Sequence, residues 1–374
     1  MVKGRLKTID KPVVNYRKID ALNYSMLKKF DEDPVKFFEE FKLGKVRKEK
    51  KGSHFIIGDL VDFYLLECDG DEEVFENRFD EKFVLYDGIK GSGQVFVLVD
   101  LLFEETQNSL SESGETTTSF DTRFSEAFKR VQGIKDGEGN QKYFKGKTED
   151  KALEIFEKDG KDYFNTLISN IGKIVLDLHL IEKAKTVANN ILTDPFTRHL
   201  FYKDDNIEVL NHFPIEWKYV LGSGKFISCK SEIDRLVVDH TNKMITIYDL
   251  KTVYDNEIFE FSYIKNSYYL QAAFYYRAVV AWLTEQEGMS DYIAAPVKFI
   301  VGDTSVNNRR PLIYTLTTND MFNALQGFEI RGNKYRGVSE LIGDIVWAEE
   351  NDEWRCSKQA FDNQGVIGLN INYD

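Results

Sequence analysis

Asp234, Asp249 and Lys251 lie in the stretch "EIDRLVVDHTNKMITIYDLKT" (232–252), among apolar neighbours where Val or Ile would pack better. A turn at Thr241–Asn242 sets Asp234 directly opposite Asp249. A four-residue turn keeps both on one face, because side chains alternate with period two. Lys251, two residues beyond Asp249, shares that face. Opposed like charges destabilise a strand pair. The companions Leu236, Val238, Ile245 and Ile247 imply partial burial, which raises that cost. A divalent cation offsets it, since Mg²⁺ takes one or two carboxylates together with waters and substrate phosphates. Lys251 would then hold an attacking water or offset charge growing on a phosphate. The plainer alternative is an Asp–Lys ion pair with Asp234 at a sheet margin.

These residues need a sheet to hold them. From about 206, "NIEVLNHFPIEWKYVL", "GKFISCKSEIDRLVVD" and "KMITIYDLKTVYD" read as strands separated by the turns GSG and HTN. A long helix over roughly 258–285 follows, then strands in "APVKFIVGD" and "PLIYTLT", a helix near 319–350 and an irregular tail. This is an α/β pattern with a mixed sheet. Upstream, residues 20–67 read as helices broken at Asp33-Pro34, with "HFIIGDLVDFYLLE" (54–67) as a mostly buried one. Residues 69–150 are polar and Gly-containing, with a helical segment near 94–108, and are the part least typical of a compact core. Two amphipathic helices fill 150–193. With no internal repeat and no low-complexity linker, the reading is one elaborated domain over 1–374. It has amino-terminal helices (1–68), a helical insertion (69–200) and a core (206–374).

The spacing Asp–x₁₄–Asp–Leu–Lys–Thr, followed by a helix bearing "QAAFY" (Gln271 to Tyr275), resembles the PD-(D/E)XK nucleases of the RecB, RecE (exonuclease VIII) and λ-exonuclease type. Those enzymes carry a G-x-x-x-H motif on an early helix, an Asp, a D/E-x-K strand and a Q-x-x-x-Y helix. Here "GDLVD" (Gly58 to Asp62) fills the first slot, with Asp62 in place of His. The stretches "YSMLKKFDEDPVKFF" and "EWRCSKQAFDNQGVIGLNI" also look like the RecE-like branch.

The resemblance implies a restriction-endonuclease-like core with an amino-terminal helical elaboration, and a Mg²⁺-dependent nuclease with Mn²⁺ able to substitute. It implies Asp62, Asp234, Asp249 and the Leu250 carbonyl around the metal, and Asp234, Asp249 and Lys251 in catalysis. Gln271 and Tyr275 would face the site, being four apart on one helix. It further implies double-stranded DNA with a free end as substrate, a ring-shaped homo-oligomer, a single-strand annealing partner and a phage-encoded role in recombination. Aspartate is a competent ligand for a hard cation, so the departure at position 62 preserves metal binding in principle. A catalytically silent DNA-binding or protein-interaction module, or a monomeric endonuclease, are the alternatives.

Other chemistries find no anchor. "LGSGKF" (221–226) lacks the earlier glycine and the hydroxyl residue of a P-loop. The five His residues show no zinc spacing, and no G-x-S-x-G elbow occurs. Cys68, Cys229 and Cys356 are odd in number and scattered, which argues against disulfide or iron–sulfur chemistry. A formal charge of −13 gives no general attraction to nucleic acid. Any such attraction must be local, and the run Lys42, Lys45, Arg47, Lys48, Lys50, Lys51 is the candidate. Within it, Lys48, Lys50 and Lys51 are assigned to the DNA backbone. The amino terminus lacks an apolar signal core and no stretch of about 18 apolar residues occurs, so the expectation is a cytoplasmic protein without membrane partners.

Overall fold

The computed structural model describes residues 16–45 and 53–367, apart from 89, 112 and 203, with the side chains of Arg17 and Ser53 also outside the description. Lys48, Lys50 and Lys51 lie outside the described residues. In order along the described chain the strands are β1 (Phe83–Leu85), β2 (Ile174–Leu176), β3 (Ile207–Val220), β4 (Phe226–Asp239), β5 (Met244–Val253), β6 (Ile293–Ala294), β7 (Lys298–Asp303), β8 (Leu312–Thr315), β9 (Gly327–Ile330) and β10 (Asn333–Arg336).

Alternating β-branched and aromatic residues make β3, β4 and β5 a meander, and a crossover through helices returns the chain to β7. The sheet order is β3-β4-β5-β7-β8, with β6 paired to β5. Pairing is antiparallel except β5 with β7 and with β6, so the sheet is mixed as read. The hairpin register runs from Asp239↔Met244 to Arg235↔Tyr248. Continued by one pair, it sets Asp234 opposite Asp249, as the spacing predicts.

The helix Tyr268–Thr284 is apolar over much of its surface and covers one face of this sheet. Phe274 meets Trp217 at 4.8 Å and Phe213 meets Trp282 at 5.3 Å, both edge to face. The carboxyl-terminal turns of the helix Leu178–Thr193 also pack on β7. A Cβ on Gly302 would lie 2.7 Å from Val187 Cγ1, so only glycine admits this approach. At the amino-terminal end Asp33 accepts from Val35 N and Lys36 N, which caps the helix that Pro34 opens. Phe37 and Phe38 stack on Trp354 at 5.7 and 5.0 Å. The two terminal sequence signatures therefore pack on one another.

The chain divides into two compact units. The first takes the described parts of 1–49 and 185–374 together with Gly58–Gly70. The second takes those of 50–57 and Asp71–Ala184, and its main segment falls within the expected 69–200 insertion. Contrary to the reading of 69–150 as core-poor, the second unit has a core of its own. Val95, Leu98, Val99 and Leu102 recur at helical spacing on Gly93–Asn108 and pack with Phe124, Phe128 and Phe156. β1 and β2 pair in parallel beside it.

Three helical runs are subdivided. The 258–285 run is Phe259–Lys265 and Tyr268–Thr284, broken at Ser267, whose φ is 56°. The 150–193 run holds three helices, Glu149–Asp159, Lys161–Ser169 and Leu178–Thr193, with β2 between the last two. The 319–350 run is Thr318–Gln326 and Val338–Asn351 separated by the β9–β10 hairpin. Gly327 has φ 95°, and a Cβ on Gly337 would collide with the Gly327 amide and the Leu325 carbonyl. The tail also carries a short helix, Lys358–Asp362. Among the described residues no helix is long and apolar enough to cross a membrane.

The Gly302 contact yields a stability test. Gly302→Val should lower unfolding free energy by about 1–3 kcal/mol through overpacking, measured by urea denaturation. Val187→Ala in the same chain should recover part of the loss, and no recovery would place the strain elsewhere.

Candidate active site

β4 and β5 separate after Arg235↔Tyr248: β5 continues along β7 to Val253↔Asp303, while β4 runs back along β3. The site lies at this fork. Leu250 N–H, left without a β4 backbone acceptor, donates to Asp234 Oδ2 at 2.9 Å. A residue's N–H and C=O leave an extended strand on the same side, so the Leu250 carbonyl faces the Asp234 side as well.

Asp249 is 1% exposed. Its Oδ1 accepts from Gln271 Nε2 at 2.7 Å, and its Oδ2 pairs with the Lys251 ammonium, a contact that lacks hydrogen-bond geometry. Lys251 also sits 4.9 Å from the centre of the Tyr268 ring. Tyr275, one turn beyond Gln271, is partly buried, and its hydroxyl feels both Asp234 and Asp249. Gln271 and Tyr275 thus face the site as expected.

The helix Ser53–Asp62 approaches from the other face of the sheet. A Cβ on Gly58 would meet Thr252 Oγ1 at 3.2 Å, and Thr252 points away from the Asp249–Lys251 face. Asp62, four residues on, reaches His212 of β3, whose Nε2 lies 3.2 Å from Asp62 Oδ2. Glu67 joins them, its Oε1 3.9 Å from the same nitrogen. Regular α-helical rotation would set residues five apart about 140° from one another. The π-helical turn Phe63–Glu67 brings Asp62 and Glu67 onto one side.

His212 falls between Asn211↔Arg235 and Phe213↔Ile233, opposite Asp234 in the ladder. Its φ of 47° is a conformation that His tolerates better than β-branched residues do. Reading the sequence found Asp62, Asp234, Asp249, Lys251, Gln271 and Tyr275 but not His212, Glu67 or Tyr268. The GSG turn carried a usable signal for His212, because the β3–β4 register aligns it with Asp234. The π turn that re-aims Glu67 has no such signature.

The electrostatics follow from crowding carboxylates where water is scarce. Burial, then the Asp249 charge, push the Asp234 carboxyl up to about 8, with Asp62 adding to the rise and Lys251 opposing it. Asp249 is raised too, mainly by burial, against the pull of Lys251. Burial alone would lower Lys251, but Asp249 and Asp234 hold it above its ordinary value, so it is cationic at neutral pH. Burial would likewise lower His212, yet Asp62, Asp234 and Glu67 raise it.

Asp62 and Glu67 therefore lie at the His212 imidazole, and Asp234 and Asp249 at the Lys251 ammonium. The oxygen-rich donor set fits a divalent cation, which would take the place of the proton that Asp234 holds. In the described part of the basic run, Lys42 pairs with Glu349 at 2.5 Å and Lys45 with Glu39 at 3.5 Å. Neither a protein-family model nor a curated protein matches the chain.

The pKa shifts predict a pH response. A carboxyl with a folded-state pKa near 8 and an ordinary value of 3.8 contributes stability that is complete below 3.8 and lost as pH rises through about 8. His212, also raised, loses its contribution in the same direction above 6.5. The melting temperature of chelator-treated protein should fall between pH 5 and 9. Asp234→Asn, which keeps an acceptor for Leu250 N, should flatten most of that fall; identical slopes in the two proteins would refute the assignment.

Proposed function

We propose that this chain is a Mg²⁺-dependent deoxyribonuclease of the PD-(D/E)XK class, degrading double-stranded DNA from an end in recombination or repair. The observation that carries this reading is the fork. Two opposed carboxylates and a lysine converge where two strands part, with a glutamine reaching Asp249 from a helix on one face and an aspartate reaching His212, which lies opposite Asp234, from a helix on the other. A purely structural reading needs Asp249 and Lys251 as an ion pair and Asp234 as the acceptor for Leu250 N–H; it gives no account of Asp62 adding repulsion beside them.

Asp62, Asp234, Asp249 and the Leu250 carbonyl are the residues that would hold the cation. Bound there, a divalent cation supplies Lewis-acid polarisation of the scissile phosphate. The protein's own groups do the rest. Gln271 fixes one oxygen of Asp249, and Tyr275 backs Gln271. Lys251 keeps its charge at neutral pH and presents it where negative charge grows on the phosphoryl oxygens. The Tyr268 ring limits where that ammonium can go.

End-directed attack rests on the likeness to RecE and λ exonuclease. A polyanion would be held locally, by basic residues such as Lys48, Lys50 and Lys51, because the overall charge of −13 repels it elsewhere. A ring-shaped oligomer and a single-strand annealing partner belong to the same reading.

Purified protein with Mg²⁺ should degrade linear duplex DNA and leave covalently closed circles untouched. Lys251→Ala should reduce cleavage by about 100-fold or more with an unchanged circular dichroism spectrum. Full activity in that variant would sink the proposal; efficient cutting of closed circles would replace the exonuclease with an endonuclease.

A further inference from the structure

Asp62, Glu67 and His212 form a cluster whose ligand atoms all lie within 4.8 Å of one another, and of the three only Asp62 is expected at the site from its motif. His212 is the unusual member. It interrupts the β3–β4 ladder at the position facing Asp234, with its backbone in the left-handed region. Its Nε2 is shielded from solvent and lies 3.2 Å from Asp62 Oδ2, off the line that a hydrogen bond needs. Behind the ring, Nδ1 is 3.8 Å from Glu232 Oε1. A carboxylate hydrogen-bonded to the far nitrogen orients a metal-bound imidazole and raises its basicity, and Glu232 stands about one ångström short of that contact.

We propose that His212 is a ligand of the cation at the fork, delivered from β3 to the side of Asp62 and Asp234, and that it biases the centre toward Mn²⁺ over Mg²⁺. The proposal rests on the metal site of the preceding section but not on cleavage of DNA. Its chemistry is that of the donor atom. Mg²⁺ takes oxygen ligands and tolerates nitrogen poorly, whereas imidazole suits first-row transition ions. An all-oxygen site at this fork would discriminate less between the two ions, since carboxylate and carbonyl oxygens suit both. A histidine that merely neutralises Asp62 would also lie beside it in the metal-free protein, as His212 does, but would be displaced or ignored when a cation binds.

Mn²⁺ is the probe, added alone to the chelator-stripped full chain. Pulsed electron paramagnetic resonance on the bound ion should detect ¹⁴N coupling from an imidazole. Titration calorimetry should find Mn²⁺ bound at least about tenfold more tightly than Mg²⁺. His212→Asn suits the left-handed backbone, which Asn also tolerates, and removes the ring nitrogen. It should abolish the nitrogen coupling and lower Mn²⁺ affinity by about tenfold or more, with Mg²⁺ affinity little changed.

Bound Mn²⁺ without nitrogen coupling, coupling that persists in His212→Asn, equal affinities for the two ions, or no Mn²⁺ binding at all would each overturn the proposal. If the variant does not fold, the wild-type spectrum and the two wild-type affinities still decide. Nitrogen coupling in a protein that cannot cleave DNA would keep His212 as a ligand and remove the nuclease reading. Cleavage without coupling would do the reverse.

Discussion

Where β4 and β5 part, a backbone amide that would lose its partner receives one from a side chain, because Leu250 N–H donates to Asp234 Oδ2. An orphaned buried amide costs about 1–3 kcal/mol, so Asp234 is a structural element of the sheet before it is anything else. The same carboxylate must then sit opposite the nearly inaccessible Asp249. Two demands meet in one residue: the fork needs an acceptor there, and the neighbouring charge opposes an ionised one. Lys251, Gln271 and the raised proton affinity of Asp234 are the protein's answer in the absence of a cation.

That constraint explains why helices on both faces are tied so closely to this end of the sheet. Gly58 lets one helix approach Thr252, and the residue one turn later is Asp62. Ser267, in the left-handed conformation, ends one helix and starts the next, so that Tyr268 lies beside Lys251 and Gln271 beside Asp249. The surrounding aromatic packing of Phe259, Tyr268 and Phe299 fixes that start. Precision at the fork is thus derived from ordinary core packing a few residues away.

Much of this was legible in the sequence because strand alternation is strict. Once the hairpin between Asp239 and Met244 was read, the facing of Asp234, Asp249 and Lys251 followed from parity alone. Helix periodicity was less informative. It located 258–285 and 319–350 as helical, but it does not register a single left-handed Ser267. Nor does it register Gly327 and Gly337, which break the 319–350 run into two helices around a hairpin. The insertion was misjudged for another reason. Polar loops separate its apolar residues in sequence, yet Val95, Leu98, Val99 and Leu102 align on one helix face and find Phe124 and Phe156 from distant segments. Glu67 was hidden because a π turn changes the period on which the reading depends.

The charge balance at the fork links cation and phosphate. Lys42 and Lys45, in the described part of the basic run, already face Glu349 and Glu39. Arg309 and Arg310, after β7, pair with Asp255, Glu257 and Asp194. Their charge is largely satisfied within the protein. With Asp62, Glu67, Asp234 and Asp249 around Lys251 and His212, the metal-free fork offers a phosphate no surplus of positive charge. On the proposed reading, affinity for a phosphodiester at this point therefore depends on the cation. Coupling of this kind is reciprocal, so a phosphate that supplies oxygen ligands must tighten the cation by the same factor. The carboxylates that make the empty fork unfavourable are then the source of that coupling, since each repulsion relieved by the cation is a repulsion the phosphate no longer meets.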